Sequence, residues 1–318
     1  TESEHSEAGG RLIKRISSLS YDVIEVQGGA KLEDIAKAYA KLSKVTSISK
    51  SALVKKLVTP NLKASNILPT PDLKASEMYH LNNLNVGQAQ EIAGKNKVRV
   101  AVIDTGIDAN HPELTNKIAV NYNASDPMKK GQPDSHGTHV TGIIAAEKNN
   151  VLGGYGIAPN SEIVSIDVFN RSAYGTDYVI AEGILEAIRQ NVDIINMSLG
   201  SWQPSPILRD AVKKAIDSGI VIVAAAGNDG FEHINFPASY DGVISVGATD
   251  EEDVLTNFST YGPSVDVTAP GNNIYSSVYS FEKGSSFVKM SGTSMASPMV
   301  AGAVSLLLSK YPDLTAFK

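Results

Sequence analysis

The chain has 318 residues, 42% of them hydrophobic and 19% charged, the balance of a globular protein with a substantial core, and a formal net charge of −6. No apolar run approaches the roughly 20 residues needed to span a bilayer, so no transmembrane helix is expected. The absence of cysteine excludes disulfides, thiolate metal sites and a cysteine nucleophile. Residues 1–70 carry 11 Lys and Arg against 7 Asp and Glu, whereas residues 71–318 carry 17 against 27. A basic front therefore meets an acidic body, which argues against nucleic acid as a partner and for attraction between the two parts, or for cationic substrates. The first residues (TESEHSEAGG) lack an initiator Met and the apolar stretch of a signal peptide, so any targeting segment is expected to have been removed.

In chain order, residues 11–57 read as a small α+β unit. Residues 21–26 are strand-like, Gly28-Gly29 is a turn, residues 32–42 have helical spacing, and 45–54 is a candidate return strand. A unit this small has a marginal core and needs to dock on the rest. Residues 59–76, with Pro60, Pro69 and Pro71, read as a linker, which gives a first domain over 1–70 and a second over 71–318.

From Val98 onward, short β-branched runs (98–103, 163–168, 192–197, 220–226 and 243–246) alternate with helical patterns (140–146, 177–190 and 206–218). This predicts a doubly wound parallel α/β sheet, in which sites gather beyond the carboxyl ends of the strands. Asp104-Thr105-Gly106, Ser198-Leu199-Gly200-Ser201 and Gly227-Asn228-Asp229-Gly230 fall at such ends. Near the C-terminus, apolar or small residues at 296, 299, 300, 303, 304, 307 and 308 predict a helix starting at or just after Ser294. Ser294 by itself reads as a helix cap or as a nucleophile seated where unpaired N–H groups favour negative charge.

Acyl transfer by serine needs a base, a carboxylate that orients the base, and donors for the oxyanion. Asp104 ends a buried strand and needs a partner for its charge. His136 opens a helix, although His136 and His139 together also read as surface histidines or an i, i+3 metal pair. Asn228 offers a carboxamide to an oxyanion, or serves as a turn residue.

Taken together, Val102-Ile103-Asp104-Thr105-Gly106-Ile107, His136-Gly137-Thr138-His139-Val140 and Gly292-Thr293-Ser294-Met295-Ala296-Ser297-Pro298 resemble the three catalytic motifs of the subtilisin-like serine proteases, the subtilases. The resemblance covers residue 80 to the end and implies roles. Ser294 is the nucleophile, His136 the general base, Asp104 its orienting carboxylate, and Asn228 with the Ser294 N–H the oxyanion hole. Gly175 on one side and Ser198-Leu199-Gly200 on the other resemble the family's substrate-binding strands, between which a peptide would add a strand. The front domain resembles the family's inhibitory propeptide, so the chain is expected to be a self-processing zymogen, secreted or at the surface of a bacterium and monomeric, with a peptide or protein as substrate and its own propeptide as a partner.

By the same resemblance, Asp134 lines the pocket for the second residue before the cut, Asp177 lies near the fourth, and Asp229 and Glu232 follow the strand that walls the first. Acidic pocket floors select Lys or Arg, which predicts cleavage after a basic residue as in lantibiotic leader peptidases, a branch this chain also resembles. The same acids also read as solvated loop charges. Glu113 and the 147–153 loop with Asn149 resemble a structural Ca²⁺ site, with Glu in place of the usual Asp and a structural loop as the other reading. No cofactor is expected for the chemistry itself. Relatives continue beyond the position of Lys318, so a further C-terminal part is expected, and the 230–237 segment is short for the family. A broad-specificity subtilisin or a catalytically silent peptide-binding module are the other functional readings. A dinucleotide site is disfavoured because no Gly-x-Gly-x-x-Gly follows the first strand and Asp104 would repel a pyrophosphate.

Overall fold

The computed structural model describes residues 2–57, 75 and 77–314. The front unit comprises α1 (Glu2–Glu7), β1 (Gly10–Ile16), β2 (Tyr21–Val26) and α2 (Leu32–Ala40), and is followed by β3 (Leu53–Lys56). The body comprises α3 (Tyr79–Asn83), α4 (Val86–Ile92), β4 (Arg99–Asp104), β5 (Ile118–Asn123), α5 (Ser135–Ala145), β6 (Glu162–Asp167), β7 (Tyr174–Thr176), α6 (Asp177–Arg189), β8 (Ile194–Met197) and β9 (Leu199–Gly200). It continues with α7 (Pro206–Asp217), β10 (Val221–Ala225), β11 (Val243–Thr249), β12 (Val267–Pro270), β13 (Ile274–Ser280), β14 (Gly284–Met290) and α8 (Thr293–Lys310).

Seven strands form one sheet in the order β12-β11-β10-β8-β4-β6-β5, and their pairings are parallel. The side-chain alternation of a strand explains the unbroken apolar runs. In β4, Val100 and Val102 join the cluster that holds Val140 and Ile143 of α5 and Met299 and Leu308 of α8. Ala101 and Ile103 join the opposite cluster, with Ile180 and Ile184 of α6 and Leu208 and Val212 of α7. Each face of the strand has its own helix pair, so neither can be polar. At β4 the strand order switches: β6 and β5 lie to one side, and β8, β10, β11 and β12 to the other. The loops leaving β4 and β8 therefore part, and a crevice opens where Asp104, Ser198 and Asn228 sit.

The front unit differs from the expectation in two ways. Residues 10–16 form β1, paired antiparallel with β2; Arg11, Lys14 and Arg15 break its apolar pattern. The expected return strand over 45–54 is only the four residues of β3, and it does not rejoin β2. The stretch Thr46-Ser47-Ile48-Ser49-Lys50-Ser51 is small, polar and mostly exposed, and offers nothing to bury. Neither β5, whose alternation is diluted by Asn121 and Asn123, nor the β13–β14 hairpin was predicted. The predicted linker over 59–76 and the boundary at 70/71 lie outside the described residues, apart from Ala75.

Leu19, Tyr21 and Val23 seat the front unit against the α6–α7 cluster. Around them Tyr21 Oη donates to Asp210 at 2.9 Å, Lys214 Nζ to the Ser18 carbonyl at 3.2 Å, and Lys14 Nζ lies 3.7 Å from Glu182. A half-exposed ion pair of this kind contributes about 0–1 kcal/mol, so the apolar contact carries more of the docking.

Two buried histidines make the body sensitive to acid. Burial pushes the imidazoles of His80 and His139 down to about 3 from 6.5. The folded protein holds them neutral while the unfolded chain protonates them, so their contribution is complete above pH 6.5 and is lost as the pH falls toward 3. The expected slope is about 1.4 kcal/mol per pH unit for each ring. Urea midpoints measured between pH 7 and pH 4 should show the decline, and His80→Leu should make it shallower; an unchanged slope in that variant would contradict the assignment.

Candidate active site

Asp104 ends β4 with no exposure to solvent. Its Oδ1 accepts from the Thr105 N–H and from His136 Nδ1, each at 2.6 Å. His136 is the second residue of α5, whose N-terminus is capped by Asp134, and Asp134 Oδ1 accepts from the His136 N–H at 3.0 Å. Thr105 ties strand to helix, accepting from the Gly137 N–H at 2.8 Å and donating to Asp134 at 3.0 Å. Position 137 must be glycine, because a Cβ there would lie 2.3 Å from the Thr105 carbonyl oxygen. With Nδ1–H directed at the carboxylate, Nε2 keeps its lone pair, and it has no hydrogen-bond partner among the described residues. His139 is occupied elsewhere, donating through Nε2 to the Ile274 carbonyl at 2.9 Å. No group of three or more His, Asp or Glu side chains suited to a metal ion exists among the described residues.

Ser294 lies in the first turn of α8, directly after the Gly292-Thr293 pair. Gly292 has φ 152° and ψ 161°, backbone that essentially only glycine adopts. Pro298, four residues after Ser294, has no N–H for the Ser294 carbonyl. The Ser198 hydroxyl fills that role, donating to the Ser294 oxygen at 2.9 Å. Asn196 connects the same network, donating to Ser198 Oγ at 3.2 Å and accepting from Ser297 Oγ at 2.8 Å. Ser294 Oγ faces the Leu57 carbonyl, to which it donates, and the Ser198 carbonyl at 3.1 Å.

Asn228 follows β10. Its Oδ1 accepts from the Thr293 N–H and the Thr293 hydroxyl, both at 2.9 Å. These two donors fix which way the carboxamide points, and Nδ2 is left buried without a partner among the described residues. Asn196 escaped the sequence reading, and Thr293 and Ser297 stood in it only as members of the serine motif, without these bonds. Their only local signal was a hydroxyl or carboxamide within three residues of Ser198 or Ser294.

The crevice holds the chain's own strand. β3 lies between β7 and β9, antiparallel to both, with Val54 opposite Gly175, Lys55 opposite Tyr174 and Gly200, and Lys56 opposite Leu199. The Leu57 N–H donates to the Ser198 carbonyl at 3.4 Å. Leu57 is buried, with Cδ1 3.0 Å from where a Cβ on Gly200 would stand, so the glycine leaves the side chain its room. Counting back from the Leu57 carbonyl, Leu57 is the first residue before the bond facing Ser294, Lys56 the second and Val54 the fourth.

This register sorts the acidic residues. Asp134 lies 3.5 Å from Nζ of Lys56, the second residue back from the Leu57 carbonyl. Asp177 is bonded not to Val54 at the fourth position but, through its carboxylate, to Ala52 and Ser51, two and three residues farther along the strand. Asp229 turns into its own loop, accepting from Trp202 Nε1, Asn235 Nδ2 and Thr260 Oγ1, and Glu232 is exposed and bridges to Tyr261. The first pocket thus holds an aliphatic side chain, and neither acid expected beside it is bonded to its occupant. Cleavage after a basic residue, and with it the leader-peptidase reading, has no support at that position.

The calcium expectation meets a similar test. Glu113 is buried, and its Oε2 accepts from Asn150 Nδ2 at 3.0 Å, while Glu147 pairs with Lys117 at 2.7 Å. An amide N–H on one carboxylate and a lysine on the other do not resemble the six to eight oxygens that calcium takes, so Glu113 and Asn149 do not by themselves fit the ion.

A model of the subtilase family matches residues 95–317, and a model of the fervidolysin N-terminal prodomain matches residues 1–49. A thermostable alkaline protease of Halalkalibacterium halodurans is 40% identical over 93% of this chain and 78% of its own length. Thermitase of Thermoactinomyces vulgaris is 40% identical over 76% of this chain and 86% of its own. The crystal structure of fervidolysin from Fervidobacterium pennivorans, described as a keratinolytic enzyme related to subtilisin, superposes with a TM-score of 0.82 at 26% identity. It matches 99% of this chain, which spans only 54% of the fervidolysin chain. From residue 95 onward and in its first 49 residues alike, the chain belongs to the subtilases, a family of serine endopeptidases, and carries their prodomain.

Proposed function

We propose that this protein hydrolyses peptide bonds through Ser294, His136 and Asp104, and that its first substrate is its own chain, cut after Leu57. The observation that supports this most directly is the Leu57 carbonyl held at Ser294 Oγ, in a chain whose His136 Nε2 and Asn228 Nδ2 are buried with no partner among the described residues. In this reading the Oγ–carbon bond forms as His136 Nε2 takes the hydroxyl proton. Asp104 holds the ring in that tautomer and stabilises its positive charge, while Asn228 Nδ2 and the Ser294 N–H receive the oxyanion. His136 then gives its proton to the leaving amine as the carbon–nitrogen bond breaks. Water, activated by the same nitrogen, releases the acyl group.

The front unit would act as the inhibitory propeptide and residues 71–318 as the catalytic domain. Binding by main-chain pairing with Gly175, Leu199 and Gly200 is tolerant of sequence, so selectivity falls to an apolar first residue and, beside Asp134, a basic second one. Family membership supports a secreted bacterial enzyme acting as a monomer. No helix among the described residues is long and apolar enough to cross a membrane.

Mass spectrometry of the intact wild-type chain should find a fragment that begins at Val58, absent from Ser294→Ala. A wild-type chain that stays whole, or the same cut in the variant, would sink the proposal. Asn228→Ala should lower kcat by about 10²–10³, the range known for the corresponding donor of subtilisin, with little change in KM. Asp134→Asn keeps an N-cap acceptor and should reduce the preference for Lys over Ala at the second position by roughly two- to fivefold, as read from kcat/KM on paired peptides.

A further inference from the structure

Asp177 makes more bonds to the strand in the crevice than any pocket role would ask of it. It is the first residue of α6 and buried. Its main-chain N–H donates to the Ala52 carbonyl at 3.1 Å, and its Oδ2 accepts from the Ala52 N–H at 3.0 Å. Both polar groups of one strand residue are therefore held by a single residue of the body. Oδ1 also accepts from the Ser51 hydroxyl at 2.5 Å. The pairing between β3 and β7 ends at Leu53 and Thr176, so this grip begins where the ladder stops.

Two further donors come from the body itself. The Tyr178 N–H reaches Oδ1 at 2.8 Å and Ser205 Oγ reaches Oδ2 at 2.7 Å. They orient the carboxylate whether or not a strand is present, so the acceptor positions facing Ser51 and Ala52 persist after the strand leaves. A preorganised anion that receives a backbone N–H and a hydroxyl binds without further ordering cost on its own side.

We propose that Asp177 forms a subsite for the sixth and seventh residues before the cut. Its ligand is an extended peptide with a secondary amide at the sixth position and a small hydroxyl side chain, Ser or Thr, at the seventh. The inference rests on the protease reading above, since it takes β3 as the stand-in for a substrate. It extends recognition past the fourth residue by a charged clamp rather than by an apolar pocket, and it excludes proline at the sixth position.

The test uses the full chain after it has processed itself, and fluorogenic peptides copied from its own strand. Ser-Ala-Leu-Val-Lys-Lys-Leu before the scissile bond should be cleaved with roughly tenfold higher kcat/KM than Leu-Val-Lys-Lys-Leu. N-methylation of the Ala nitrogen should abolish that advantage, and Ala in place of the Ser should remove part of it. In Asp177→Asn the ratio of long to short peptide should fall toward one. Equal rates for the two peptides in the wild-type protein, or an advantage that survives N-methylation, would overturn the subsite. If Asp177→Asn does not fold, the N-methyl peptide against the wild-type protein still decides. Failure of both peptides to be cleaved would instead strike the protease reading.

Discussion

A carboxylate with no exposure to solvent is tolerable only if donors meet it, and that requirement at Asp104 organises the centre of the protein. The charge sits at the end of a central strand with apolar clusters on both sides, where water cannot reach it. The Thr105 N–H and the His136 ring supply the donors. For the ring to arrive, α5 must start close against the loop after β4, which explains the glycine at 137, the Asp134 cap and the Thr105 hydroxyl between them. The pair has a structural origin before it has a chemical one, and the chemistry uses what the burial enforces.

The serine side is built on a comparable substitution. A proline in the first turns of a helix deprives a carbonyl of its partner, and here the orphan belongs to Ser294 itself. Ser198, from the end of a neighbouring strand, replaces the missing N–H, so the helix start is anchored to the same segment that borders the bound peptide. Thr293 does the equivalent for Asn228, directing both of its donors to the carboxamide oxygen so that the nitrogen is left without a partner among the described residues. Removing either hydroxyl would leave the reacting groups present but less well aimed.

Much of this was legible in the sequence because the body follows regular patterns. Continuous β-branched runs such as Val100-Ala101-Val102-Ile103 encode a strand buried on both faces, and the residues just after such runs are the ones that meet at the carboxyl edge. What escaped was set by partners far along the chain. Nothing local in Leu53-Val54-Lys55-Lys56 says that its neighbours are Gly175 and Leu199 rather than β2, because a short strand has no register until something is opposite it. The same holds for Asp177 and Asp229. The resemblance put them near pockets, but whether a carboxylate faces a ligand or its own loop depends on donors such as Ser205, Trp202 and Thr260, which sequence spacing does not bring together.

β3 sits between β7 and β9 as the middle strand of a three-stranded sheet. If substrates bind there as proposed, this strand would compete with them as a tethered ligand while the chain is intact, at an effective concentration set by the tether rather than by how much protein is present. A cut after Leu57, as proposed, would leave the strand its pairing partners in β7 and β9, yet it would turn a unimolecular equilibrium into a bimolecular one. Inhibition would then become a property of the solution. On the proposed cut, a crowded compartment would keep the enzyme shut, and dilution into a larger volume, or digestion of the freed front unit, would open it.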